Sequence, residues 1–274
     1  MALRRMAVGG RWYPAQPARL AEDVDRHVAA ASVDLPHGRL RAIVVPHAGL
    51  LYSGPVAAFA YRAARTGAYR TFVLVGPSHF VPFSGVALWS EGAWETPFGP
   101  VAVDGTLASA IRAQSRDVVD LPEAHGREHS LEMQLPFIAR LFAGAAIVPL
   151  VMGHQTRQTA FALGDAMAAA LGTADPSDVL IVASSDLSHY EDAATAAALD
   201  AVVLERVEAL DPGGLMDALE RQPGHACGGG PMVATLHAAR ELGASAARVL
   251  RYADSGDVSG DKSAVVGYMA AAIW

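Results

Sequence analysis

The sequence predicts an α/β fold: a mixed β-sheet with a parallel centre and antiparallel edges, covered by helices on both faces. Short apolar runs alternate along the chain with amphipathic stretches of helical period. The apolar runs lack the alternating polar residues of a half-exposed strand. The runs that we predict as buried, largely parallel strands are residues 41–46, 71–76, 146–152 and 178–183. The predicted helices are residues 55–64, 128–142, 156–171, 193–210 and 232–242. This alternation of strand and helix is typical of a sheet with helices on both sides.

Two further pairs of apolar segments predict antiparallel strands near the edges of the sheet. Residues 86–89 and 100–103 lie on either side of a Pro-Phe-Gly turn sequence, and residues 248–252 precede a similar run at 264–271. No Ser/Pro-rich linker, low-complexity tract or internal repeat interrupts the pattern. We therefore expect one domain over residues 1–274.

The charge and the single cysteine restrict the class of partner and the compartment. The formal net charge is -7, and the 21 Lys and Arg residues are scattered singly, which disfavours a nucleic-acid surface or a basic membrane-binding helix. We expect small molecules, peptides or proteins as partners. No apolar stretch has the length of a signal peptide or a membrane span, so we expect a cytoplasmic protein. Cys227 cannot form an internal disulfide, which agrees with a reducing compartment.

Polar side chains follow three of the predicted strands at the points where those strands end. His47 follows the first strand, His79 the second, and Asp186 and His189 the fourth. In open α/β sheets, ligands bind beyond the carboxyl ends of the strands. If these strands are neighbours, their ends lie about 5 to 10 Å apart, so the imidazoles can converge on one ion. The alternative for each histidine is a hydrogen-bonded loop or core residue.

Glu128 and His129 open a predicted helix, and each has two interpretations. A carboxylate at a helix N-terminus complements the dipole and caps free N–H groups. Alternatively, one of the two residues reaches the pocket as a general base or orients a ligand imidazole. We favour His129 for this role.

Cys227 lies in a glycine-rich stretch just before the predicted helix at 232–242. At a helix N-terminus, the dipole and the free N–H groups lower a thiol pKa and favour the thiolate, which binds metals or attacks electrophiles. The alternative is a buried structural side chain. The glycines at 228–230 match neither a dinucleotide fingerprint nor a P-loop.

Six ordered motifs make the sequence resemble the Memo-like family, which includes protein B of the prokaryotic AmmeMemoRadiSam system. The resemblance spans nearly the whole chain. The motifs are Gly10-Arg11-Trp12-Tyr13-Pro14, Val45-Pro46-His47-Ala48-Gly49 with Tyr52-Ser53-Gly54, Gly76-Pro77-Ser78-His79, Glu128-His129-Ser130-Leu131-Glu132, Ser184-Ser185-Asp186-Leu187-Ser188-His189 and Cys227-Gly228. The resemblance implies a fold similar to that of the class III extradiol dioxygenases, non-haem iron enzymes that open catechol rings.

The resemblance also implies a metal site. In Memo-like proteins, iron or copper is associated with two histidines and a cysteine. By motif, these ligands correspond to His47, His79 and Cys227. The catalytic residues that match the rest of the same pocket are His129, Asp186 and His189. Iron as Fe2+ is the expected cofactor, and a thiolate in place of the dioxygenase carboxylate makes the site softer, so that copper or zinc is an alternative.

Two statements about partners and specificity follow from the resemblance. Prokaryotic relatives accompany a radical SAM enzyme and an Ammecr-like protein, which are the expected partners within the same system. Gly229 and Gly230 stand where animal members have Arg-His, so a cation and an imidazole beside the thiol are lost. Contacts attributed to those two side chains do not carry over.

Three functions are compatible with this pattern. The first, which we favour, is a dioxygenase-like, non-haem metal-dependent oxidoreductase that acts on a small organic substrate or dioxygen. The second is a binding module that uses the same pocket for a peptide or a modified side chain without turnover, because a fold does not determine a function. The third is a hydrolase with Cys227 as the nucleophile and a histidine as its base.

Overall fold

The computed structural model describes residues 2–34, 39–172 and 178–274. The strands, in chain order, are β1 Leu3–Arg4, β2 Ala42–Val45, β3 Thr71–Pro77, β4 Val86–Leu88, β5 Ala93–Trp94, β6 Val101–Ala102, β7 Val118–Asp120, β8 Ala146–Met152, β9 Val179–Ser184, β10 His189–Glu191, β11 Ala247–Asp254 and β12 Val265–Ile273. The α-helices are α1 Pro17–Ala30, α2 Leu50–Ala64, α3 Gly105–Gln114, α4 Leu135–Leu141, α5 Arg157–Gly172, α6 Ala193–Glu208, α7 Pro212–Arg221, α8 Gly229–Glu241 and α9 Gly256–Ser259. Short 3-10 helices span Pro122–His125, Glu132–Gln134 and Pro223–His225.

Nine of the described strands form one mixed sheet with the order β10-β12-β2-β9-β3-β8-β4-β7, and β11 pairs with β12 beside this path. The central strands β2, β9, β3 and β8 are parallel. β12 runs antiparallel to β2 on one side, and β4 runs antiparallel to β8 on the other. The predicted parallel centre with antiparallel edges is confirmed, and so is the antiparallel pairing of the tail strands β11 and β12.

Helices cover both faces of this sheet and create two hydrophobic cores. On one face, helices α5 to α8 pack against residues such as Val44 and Val73. On the other face, α1, α2 and α4 pack against Ile43 and Leu74. Successive side chains of a strand point to opposite faces. A strand buried on both faces is therefore apolar throughout, which is why the central strands read as continuous apolar runs.

The predicted pairing of residues 86–89 with residues 100–103 is wrong. β4 lies inside the large sheet between β8 and β7, because all three of its residues are buried and need neighbours on both sides. β6 pairs instead with β5 in a separate small sheet that also contains β1. The turn itself was predicted correctly, because Gly99, at φ 105°, lies between β5 and β6. The strand that pairs with β6 across this turn is β5, which is nearer in sequence than β4.

The helix predicted over residues 128–142 begins later than expected. A 3-10 turn occupies Glu132–Gln134, and α4 starts only at Leu135, with Pro136 in its first turn. Pro136 lacks an N–H group and is tolerated only at such a start. Residues 128–131, which were predicted to be helical, therefore lie outside any helix. They include Glu128 and His129 of the site described below.

The ranges that the structure describes include no helix that is both long enough and apolar enough for a bilayer crossing.

Candidate metal centre

The carboxyl ends of three neighbouring parallel strands bring the predicted site residues together. β9 lies between β2 and β3, and His47, Asp186 and His79 each lie two residues beyond the end of one of these strands. Cys227 approaches from the start of α8, and its backbone N–H donates to the carbonyl oxygen of Asp186 at 3.2 Å. The arrangement follows from the sheet order, because parallel strands end at the same edge.

His47, His79 and Cys227 form a group of donors in which one ligand atom from each lies within 4.8 Å of the others. Nε2 of His47 is 3.2 Å from Sγ of Cys227. The two imidazole rings are 5.3 Å apart and inclined at 79°, so their nitrogens can face a common point. Two imidazoles and a thiolate suit iron, copper or zinc, and three protein ligands leave positions open for other ligands.

The tautomer of His47 follows from the hydrogen bonds of Ser184. The one hydroxyl proton of Ser184 is donated to the carbonyl oxygen of Ser130 at 2.6 Å. The hydroxyl oxygen therefore accepts from Nε2 of Gln134 at 2.8 Å and from Nδ1 of His47 at 2.9 Å. Burial and the nearby imidazoles hold the pKa of His47 well below its usual range, so the ring is neutral. With its proton on Nδ1, His47 presents the lone pair of Nε2 toward Cys227.

Glu128 fixes the second imidazole. Its Oε1 lies 2.8 Å from Nδ1 of His79, and its Oε2 accepts the backbone N–H of His79 at 2.6 Å. The backbone N–H groups of His129 and Ser130 also donate to Oε1, both at 2.9 Å. Burial raises the pKa of Glu128, but its hydrogen bonds and the charge that His79 carries when it is protonated outweigh burial and lower the pKa to about 2. An ionised carboxylate only accepts, so His79 donates through Nδ1 and keeps Nε2 available.

The protein alone does not activate the thiol of Cys227, which corrects the prediction of a lowered pKa. Burial and the negative charge of Asp186 raise the pKa of Cys227, although the N–H of Asp186 donates to Sγ at 3.3 Å. The proximity of α8 does not offset the cost of burying a thiolate. A coordinated cation would reverse the shift, because it removes the thiol proton. The surroundings of Cys227 favour a ligand over a free nucleophile.

Asp186 and His189 lie at the same edge, but each is tied to the backbone. Oδ1 of Asp186 accepts the N–H groups of His47 at 2.7 Å and Ala48 at 3.3 Å, so this carboxylate shapes the loop that carries His47. Burial raises the pKa of Asp186 to about 6 against the effect of these donors. Nδ1 of His189 donates to the carbonyl oxygen of Leu187 at 2.8 Å. The predicted catalytic roles of Asp186 and His189 stay predictions.

His129 stacks on His79, with ring centroids 4.6 Å apart and planes inclined by only 17°. Together with Glu128, these two histidines form a second group of donor atoms within 4.8 Å. Nitrogen lone pairs lie in the ring planes, and nearly parallel planes do not direct them to one point. This second group is therefore the poorer metal site. Burial lowers the pKa of His129 to about 4 despite the charge of Glu128, so its ring is a neutral proton acceptor near pH 7.

Sequence reasoning missed two supporting residues and ranked a third too low. Ser184 and Gln134 were not predicted, and Glu128 was placed below His129, although Glu128 is the residue that orients His79. Two signals could have found them. Ser184 is a polar residue at the end of an otherwise apolar central strand, and Gln134 is a polar residue between two apolar ones, Met133 and Leu135. Buried polar side chains require hydrogen-bond partners, and here the partners belong to the site.

These observations define an α/β protein with a candidate metal centre of two histidines and one cysteine at the carboxyl edge of its sheet. The profile of the family described as Memo-like protein matches residues 4–272 of the chain. The chain belongs to the Memo-like family, and the resemblance seen in the sequence motifs is confirmed.

Relatives and a solved structure agree with this assignment. MEMO1 family proteins from Methanothermobacter thermautotrophicus and Methanopyrus kandleri are each 40% identical to the chain, over 274 and 277 residues. Both alignments cover 97% of this chain, and they cover 98% and 97% of the relatives. The crystal structure of an uncharacterized protein from Escherichia coli K12 has a TM-score of 0.59 at 16% identity, covering 84% of this chain and 99% of that chain. At this identity, the likeness concerns the fold alone, and it agrees with the predicted α/β architecture.

Proposed function

We propose that His47, His79 and Cys227 bind one iron or copper ion and that the protein is a metal-dependent oxidoreductase. The observation that carries this proposal is the 3.2 Å separation between Nε2 of His47 and Sγ of Cys227, with a donor of His79 within 4.8 Å of both. Hydrogen bonds occupy Nδ1 of each histidine and leave Nε2 for a metal. Ligand histidines in metal sites have this arrangement of a second hydrogen bond behind the coordinating nitrogen.

A redox-active ion at this site would supply electron exchange with a small organic substrate or dioxygen. The protein supplies groups that move protons. His129 is neutral near pH 7, because burial lowers its pKa to about 4, and its ring borders the donor group through its stacking on His79. His189 has its proton on Nδ1, held by the carbonyl oxygen of Leu187, so Nε2 is the atom that can accept a proton. We propose these two histidines as the general bases of the reaction.

Metal binding is tested by anaerobic titration of the metal-free protein with Fe2+ and with Cu+. We expect uptake of about one ion per chain, as a single three-ligand site requires. His47→Ala should abolish uptake, and Cys227→Ser should weaken copper more than iron, because a thiolate is a soft ligand. His154→Ala is the matched control, since His154 is exposed and belongs to neither group of donor atoms. Equal uptake by the wild type and His47→Ala would remove the proposed centre.

Turnover is tested separately with the metal-loaded protein under air. Catechols, hydroquinones and ascorbate are supplied in turn, and oxygen consumption is followed with an electrode. We expect consumption that depends on His129, because His129→Gln keeps a polar side chain but cannot serve as the same base. Metal uptake without oxygen consumption for any of these reductants would leave the site as a metal-binding one and contradict the oxidoreductase.

Exposed aromatic side chains beside the site favour a binding module as the second candidate. Trp12 and Phe80 flank the ring of His129 at centroid distances of 4.3 and 5.8 Å, and Phe80 and Tyr190 are 47% and 78% exposed. Exposed large apolar side chains around a pocket mark interaction sites. A binding module predicts that peptides captured from an array lose affinity in Phe80→Ala but not in Val258→Ala, another exposed apolar position. Oxygen consumption in the preceding experiment would count against this candidate.

A further inference from the structure

Arg4 of β1 is a buried cation that contacts the loop of residues 125–132, which carries Glu128, at three points. Its Nε donates to the carbonyl oxygen of His125 at 2.9 Å, and its Nη2 donates to the carbonyl oxygen of Glu128. Its Nη1 pairs with the carboxylate of Glu132. Arg4 is 3% exposed, and Glu132 is fully buried. One guanidinium thus joins the start, the middle and the end of the loop that carries Glu128.

Glu132 extends this connection to the rest of the N-terminal segment. Its carboxylate accepts the backbone N–H groups of Ala7 at 2.7 Å and Val8 at 3.0 Å, as well as the hydroxyl of Tyr13 at 2.8 Å. Buried ion pairs are weak evidence for stability, because desolvation cancels much of the attraction. Their best supported use is to select one arrangement among several, and a planar guanidinium with several fixed donors suits that use.

We propose that Arg4 is a positioning residue of the candidate metal centre. Arg4 holds the backbone of Glu128, and Glu128 holds His79 with its proton on Nδ1 and its Nε2 free. The inference rests on the proposed metal site and adds a residue that lies far from it in sequence. The backbone between His125 and Glu132 belongs to no helix or strand. The hydrogen bonds from Arg4 therefore take the place of the helix or strand hydrogen bonds that would otherwise fix this backbone.

The test compares Arg4→Lys with Arg5→Lys in the full chain. Lysine at position 4 keeps the charge opposite Glu132 but lacks the fork that reaches the carbonyl oxygens of His125 and Glu128. Arg5 is the matched control, because its guanidinium is 75% exposed and pairs with Glu95 at the surface. The first readout needs no metal: the Nδ1 proton of His79 is observed by nitrogen-15 NMR and assigned by its loss in His79→Gln. The second readout is Co2+ affinity, followed through the thiolate absorption band.

We expect Arg4→Lys to lose the His79 proton signal and to bind Co2+ about 10- to 100-fold more weakly, as other losses of support behind a ligand do. Arg5→Lys should change neither readout. Retention of both the signal and the affinity in Arg4→Lys would overturn the proposal. If the wild type binds no Co2+, the proposed metal site fails, whereas the His79 signal still decides the role of Arg4.

A second variant covers the case in which Arg4→Lys does not fold. Arg4→Met combined with Glu132→Gln leaves no unpaired buried charge, which is the usual cause of such failure. It also removes the bond to the carbonyl oxygen of Glu128 and should show the same loss of the His79 signal. A folded double variant with an unchanged signal would equally overturn the proposal.

Discussion

The hydroxyl oxygen of Ser184 accepts a hydrogen bond from Nδ1 of His47 at 2.9 Å, and this single contact sets which nitrogen of the ring faces Cys227. Ser184 is fully buried at the end of a central strand, so water cannot take its place without a rearrangement of the sheet. The hydroxyl also joins Gln134 and Ser130, which makes it the branching point of a buried polar network.

Ser184→Ala should weaken metal binding and destabilise the fold together. The substitution leaves Nδ1 of His47 and one N–H of Gln134 without an acceptor, whereas the other N–H of Gln134 keeps the carbonyl oxygen of Pro46 at 3.2 Å. Each unsatisfied buried donor costs about 1–3 kcal/mol. We expect metal affinity to fall about 10- to 100-fold. Titration with Co2+ and urea unfolding measure the two effects.

Thr235→Val is the control for this prediction. Thr235 is also fully buried, but its hydroxyl has no hydrogen-bond partner among the described residues. Replacement of this hydroxyl by a methyl group should leave stability and affinity nearly unchanged. Equal losses in Ser184→Ala and Thr235→Val would contradict the role assigned to Ser184.

Glu128 should make stability depend on pH in the acid range. The pKa of Glu128 in the folded protein, about 2, lies below its ordinary value of 4.5, so the ionised carboxylate stabilises the folded state above about pH 4.5. This contribution, on the order of 3 kcal/mol from the size of the shift, is lost as the pH falls toward 2. The free energy of unfolding of the wild type and of Glu128→Gln is measured with urea between pH 2 and 7, a range set by the two pKa values. We expect the two curves of free energy against pH to converge at the acid end. Parallel curves would show that the carboxylate has no such interaction.

Cys227 of the metal-free protein should react slowly with iodoacetamide at pH 7. Burial and the negative charge of Asp186 raise its pKa, so that very little of the thiol is ionised at pH 7. Mass spectrometry should find much faster labelling in urea than in buffer, because unfolding removes both causes. Rapid labelling of the folded protein would contradict the raised pKa and would support a hydrolase with Cys227 as its nucleophile.

Gly228→Ala should move the thiol of Cys227 away from Nε2 of His47 and from the N–H of Asp186. A Cβ at this position would lie 2.6 Å from the carbonyl oxygen of Ser184 and 2.8 Å from Cβ of Ser185, and the backbone oxygen cannot easily move. We expect a loss of about 1–3 kcal/mol in the free energy of unfolding and weaker metal binding. In Gly213→Ala, the added carbon meets its nearest atom only at 3.6 Å, so this control should fold normally.

The sequence predicted the parts of the site that depend on local order along the chain. His47 and His79 end apolar runs, and any parallel arrangement of those runs brings their carboxyl ends to one edge. The family motifs then connected Cys227 to them, and the structure places these three side chains together.

The parts that could not be predicted depend on contacts between distant segments. Ser184 lies 50 residues from Gln134 and 137 from His47, and no local pattern specifies which of several polar residues meet. The wrong partner for β4 has the same origin, because its turn is local but its neighbours β7 and β8 are not. The thiol pKa was mispredicted since proximity to a helix end is visible in sequence, whereas burial beside Asp186 is not.

His47 and Cys227 are separated by 180 positions along the chain and by 3.2 Å in space. An ion held between them would act as a reversible cross-link around most of the polypeptide, and such cross-links restrict the unfolded chain strongly. Its withdrawal would loosen the whole molecule and not the pocket alone. Supply of the ion in the cell would then govern how long each copy survives proteolysis.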